Sequence, residues 1–104
     1  MEYQQQVNEV LHRELGLQLP DVISETELLQ LLADRLATII ARSPEDFFQL
    51  MYRLDIPEAA MNKALTQKDI PAELAKLVYT RQLQKIESRA KFGRTQSDDP
   101  ELQW

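Results

Sequence analysis

Ser24-Glu25-Thr26-Glu27-Leu28-Leu29-Gln30-Leu31-Leu32-Ala33-Asp34-Arg35-Leu36-Ala37-Thr38-Ile39-Ile40-Ala41-Arg42 decides the fold class. Its first four residues have the pattern of a capping box. The Ser24 hydroxyl can accept from the N–H of Glu27, and the Glu27 carboxylate can reach back to the N–H of Ser24. Leu28, Leu29, Leu32, Leu36, Ile39 and Ile40 then recur at spacings of three and four, with Leu31 beside them. That period predicts a helix over 25–42, and its wide apolar face predicts a central place in a bundle.

The same period extends in both directions. Upstream, Tyr3, Val7, Val10, Leu11 and Leu15 mark one face of a helix over 2–15, and Gly16 follows as its stop. Pro20 blocks a strand through Leu17 and Leu19, so 17–23 is expected to be a packed loop. Downstream, Ser43-Pro44-Glu45-Asp46 combines an N-cap serine, a proline at the first helical position and two acids in the first turn. The helix it opens carries Phe47, Phe48, Leu50, Met51 and Leu54, and stops near Asp55 because Pro57 disfavours helical geometry at Ile56. Asp55-Ile56-Pro57-Glu58 predicts the start of a short helix over 57–66. Asp69-Ile70-Pro71-Ala72-Glu73 repeats the signal for a helix over 71–91. At 1.5 Å per residue that last helix spans about 31 Å, the width of a domain this size, so its far end is expected at the rim of the bundle or beyond.

The expected fold is therefore all-α: a small bundle of four to five helices with a long C-terminal helix. Residues 1–94 read as a single helical domain and 95–104 as an acidic flexible tail. At 104 residues and 43% hydrophobic content the chain holds one domain with a small core. It has no cysteine, one histidine and two glycines. That composition removes disulfide frameworks, cysteine and multi-histidine metal sites, thiol nucleophiles and glycine-rich phosphate loops. No catalytic, cofactor-binding or metal-ligating residues are expected, and no small-molecule ligand is announced. The N-terminus has no secretory pattern and no apolar run is long enough to cross a membrane, so a cytoplasmic, membrane-free protein is expected.

The net charge is −5, unevenly spread. Residues 1–46 hold nine acids and three bases, whereas 77–94 hold Arg81, Lys85, Arg89, Lys91 and Arg94 against Glu87 alone. Arg81, Lys85 and Arg89 are four apart and share a helix flank, with Leu83, Ile86, Ala90 and Phe92 offering an apolar stripe. This flank predicts a non-catalytic interaction module that meets a partner protein or a second copy through Arg81, Lys85, Ile86, Arg89 and Phe92. The bland alternative is a helix end whose cations answer its own dipole and the acidic N-terminal half. Two other classes stand beside it. Residues 44–66 have the lengths of a helix-turn-helix, but its second helix offers only Asn62 and Lys63, too few cations for phosphate contact, so nucleic acid is disfavoured as a partner. An enzyme would have to use His12 or the pairs Glu45/Asp46 and Asp98/Asp99. His12 reads as a surface residue, Glu45/Asp46 as a helix start, and Asp98/Asp99 lie in the tail. Trp104 gives no preference between a partner pocket and its own bundle.

Phe47-Phe48-Gln49-Leu50-Met51-Tyr52-Arg53-Leu54-Asp55, followed by Arg81-Gln82-Leu83-Gln84-Lys85-Ile86, resembles a family of small, uncharacterised all-helical bacterial proteins over about 28–89. The resemblance implies a helical fold and carries over no functional residue.

Overall fold

A computed structural model describes residues 3–20 and 22–95, with backbone alone for 92–95. Five helices follow one another: α1 (Gln4–Leu15), α2 (Glu25–Arg42), α3 (Pro44–Arg53), α4 (Glu58–Ala64) and α5 (Ile70–Thr95). The described residues contain no strand. The expected all-α bundle with a long last helix is what the chain forms. The expected tail falls outside the described residues from Gln96 onward, as do Asp98, Asp99, Leu102 and Trp104.

Local chemistry sets most helix ends where the sequence puts them. Both capping-box bonds at Ser24 are made: Glu27 N–H donates to Ser24 Oγ at 3.1 Å, and Ser24 N–H donates to Glu27 Oε1 at 3.2 Å. Ser43 Oγ accepts from Asp46 N–H at 3.2 Å, with Pro44 opening α3. Asp69 Oδ1 accepts from Ala72 N–H at 3.2 Å at the head of α5. Gly16 ends α1 at φ 72°, its N–H donating to the His12 carbonyl. Four readings differ from expectation, the first being that α5, expected over 71–91, runs Ile70–Thr95. α1 begins at Gln4 with no side-chain cap. α4 is shorter than 57–66: the Leu65 amide still bonds the Met61 carbonyl, but the Thr66 amide bonds the Lys63 carbonyl only three residues back, which tightens and ends the last turn. Asp55 does not cap α4; Pro57 occupies that place, and the Asp55 carboxylate is used elsewhere.

The core is one cluster. α1 contributes Val7, Leu11 and Leu15; α2 contributes Leu28, Leu32, Ala33 and Leu36; α3 contributes Phe47, Leu50 and Met51. α2 packs most extensively on α5, and α5 also meets α1 and α4, so α2 and α5 share the central position. Leu17 is buried and Leu19 and Ile23 are partly buried, as expected of a packed loop, whereas Val22 is 91% exposed and Asp21 lies outside the described residues. Phe48 is an exception on α3: it is half-exposed, its ring edge-on to Phe47 at 5.3 Å. The molecule measures 43 × 32 × 21 Å. α5, with 26 residues at about 1.5 Å each, nearly matches the longest dimension.

Candidate functional site

The turn between α3 and α4 decides what α5 can present. Ile56 and Leu54 are buried there, so the chain must reverse tightly, and Asp55 takes a left-handed backbone at φ 61°. Aspartate tolerates that conformation better than most side chains, but it remains a cost. Three inward or flanking positions of α5 hold the turn in place. Arg81 Nε donates to the Asp55 carbonyl at 2.9 Å, Gln82 Nε2 donates to the Leu54 carbonyl at 2.8 Å, and Lys85 Nζ donates to Asp55 Oδ2 at 2.7 Å. The hydrogen bond from Lys85, followed by its charge, holds the Asp55 carboxyl below the usual carboxylate range. Gln82 is 97% buried, and its amide satisfies a carbonyl that would otherwise lack a partner in the core.

These contacts place each sequence-selected residue. Arg81 and Lys85 are partly exposed and bound to the Asp55 turn. Ile86 is only 3% exposed and belongs to the core, so it is not offered to a partner. Arg89 is exposed on the solvent side of α5. Phe92 lies within α5, but its side chain is outside the described residues. Leu83 is partly buried, and the inward stripe of α5 beyond Tyr79 runs through Gln82 and Ile86.

Three crevices connect along this side of the molecule. The first lies where α1, α2 and α3 meet and is lined by Arg35, Arg42 and Arg53 together with Glu14 and Asp46. The second shares Glu14 and Arg53 with the first, and adds Arg13, Lys85 and Arg89 between α1 and α5. The third continues from Lys85 and Arg89 to Arg81 and Lys91 along the outer face of α5, with Glu87. Among the described side chains, eight of eleven lysines and arginines line this band, against three of twelve carboxylates. Glu14 is its internal counter-charge: Arg53 Nε donates to Glu14 Oε1 at 2.9 Å and Arg13 Nε stands 3.6 Å from Oε2. The Arg53 hydrogen bond, with the charges of Arg53 and Arg13, lowers the Glu14 carboxyl pKa. An acidic protein thus carries a cationic band whose field would attract anionic groups.

Of the other sequence-selected groups among the described residues, Asp46 touches this band, on the wall of the first crevice. His12 Nδ1 donates to the Leu17 carbonyl at 2.9 Å, fastening the loop after α1. Glu45 and Asp46 sit in the first turn of α3. Asn62 and Lys63 are exposed on α4, a helix of seven residues with Glu58 in its first turn. No group of three or more His, Cys, Asp or Glu that could hold a metal ion occurs among the described residues. No described helix is long and apolar enough to cross a membrane.

The sequence reading singled out the α5 flank and did not single out Gln82, Asp55, Arg35, Arg42 or Arg53. Comparison of the chain with family models, curated proteins and solved structures finds no match in any of the three.

Proposed function

We propose that the protein is a non-catalytic interaction module that binds an acidic segment of a partner protein along the outer face of α5. The observation that carries this reading is the segregation of charge among the described side chains: eight of eleven cations line one connected band, against three of twelve carboxylates. The turn lock supports it. Fastening Arg81 and Lys85 to Asp55 orders the stem of the band, while Arg89 and Lys91 remain exposed for charge-assisted contacts. A second copy of this chain, whose first 46 residues carry a net charge of −6, is the other acidic occupant that the reading admits. The protein is read as one of the bacterial cytosol, in keeping with the resemblance of its 47–55 and 81–86 segments.

The test is fluorescence anisotropy of a labelled Glu/Asp-rich peptide titrated with the full chain. Saturable binding is expected, weakening as salt rises toward a Debye length of about 8 Å. Arg89→Glu with Lys91→Glu should weaken it at least tenfold. Equal affinity for the double variant, or tighter binding of a labelled DNA duplex than of the peptide, would overturn the reading.

A further inference from the structure

The first crevice belongs to the cationic band, but not to the outer face of α5 on which the reading above places the partner. α2 and α3 are joined by Ser43 alone, so they fold back on each other at a sharp corner. Arg35 and Arg42 are seven residues apart on α2, with Ile39 between them, which puts all three on one stripe. Gln49, Leu50 and Arg53 line the crevice from α3, and Glu14 closes it from the end of α1. The crevice is open to solvent and holds about 260 Å³, just below the ~300 Å³ from which ordinary small-ligand pockets start.

The charges inside do not balance. Arg53 is answered by Glu14. Arg35 is partly buried and spends its Nε on the Leu15 carbonyl at 2.8 Å, a bond that orients the guanidinium without neutralising it. Neither Arg35 nor Arg42 has a carboxylate within 4 Å among the described residues. Asp46 is the one remaining acid on the wall, and Ser43 Oγ, which accepts from the Asp46 amide, still has its own hydrogen to donate. Ile39 and Leu50 supply an apolar side. From this combination we infer that the crevice is a binding site for a small phosphate monoester. Two planar guanidiniums without counter-ions suit a doubly charged oxyanion, which offers edges for bidentate contact. The apolar wall and the remaining volume suit a small organic body attached to it.

Isothermal titration calorimetry of the full chain with phenyl phosphate in a chloride buffer tests this. One-to-one binding is expected, with inorganic phosphate weaker because it leaves the Ile39–Leu50 wall uncovered. Arg42→Gln removes an exposed side chain that makes no hydrogen bond among the described residues, so the fold should be kept while affinity falls at least tenfold. Lys63→Gln, on α4 and outside the crevice, should leave binding unchanged. Absence of binding heat, equal affinity for Arg42→Gln, or benzoate binding as tightly as phenyl phosphate would each overturn the inference. None of these results depends on Arg89 or Lys91, so this site and the α5 face stand or fall separately.

Discussion

Asp55 concentrates the residue-scale physics of this protein. Its left-handed backbone costs a side chain about 1 kcal/mol relative to glycine. Its carboxylate recovers part of that through Lys85, in an exposed pair of a kind ordinarily contributing less than about 1 kcal/mol. Asp55→Gly should therefore stay within about 0.5 kcal/mol of the parent, whereas Asp55→Ala keeps the backbone cost, loses the pair and should be destabilised by about 1 kcal/mol or more. Urea denaturation of both variants checks the ordering. Gln82 should matter more. Gln82→Ala strands the buried Leu54 carbonyl and should cost about 1–3 kcal/mol. The pH dependence follows from the two carboxyls held low by their cations, Asp55 and Glu14. A carboxylate whose pKa is lower folded than unfolded stabilises the fold above the unfolded value, and that contribution is lost as pH falls through the folded value. Urea midpoints should fall below about pH 4, and Asp55→Asn should flatten that fall.

At the scale of elements, α5 is both a structural member and an exposed edge. Ile86→Ala should cost about 2–4 kcal/mol, as a core truncation does, while leaving the solvent face of Arg89 and Lys91 intact. Ser24→Ala, which removes one half of the capping box of α2, should cost about 1 kcal/mol. The starts of α2, α3 and α5 were legible in the sequence because a cap is a local event: Ser24, Ser43 and Asp69 bond to amides three residues on. The inward role of Gln82 was not, because a polar residue inside an apolar stripe looks like its interruption until its partner, 28 residues back, is brought beside it. Ile86 was read as a docking residue for the same reason. The stripe was visible, but nothing local says whether a stripe meets its own bundle or another molecule. The spacing of Arg35 and Arg42 was equally visible, yet the crevice exists only once α3 folds back across α2.

The whole molecule separates its charge. Eight cations gather along three connected crevices while nine of the twelve described carboxylates lie elsewhere, and the net charge of −5 conceals this. Such a surface both steers an acidic partner toward one side and repels it from the rest. The measurement that addresses this most directly is a ¹H–¹⁵N correlation spectrum of the full chain titrated with an unlabelled Glu/Asp-rich peptide. Docking on the cationic band predicts amide shifts concentrated at 81–91, spreading to Arg13, Glu14 and Arg53 and sparing α4. Shifts centred on the exposed Phe48 and Tyr52 of α3, or none at saturating peptide, would contradict it.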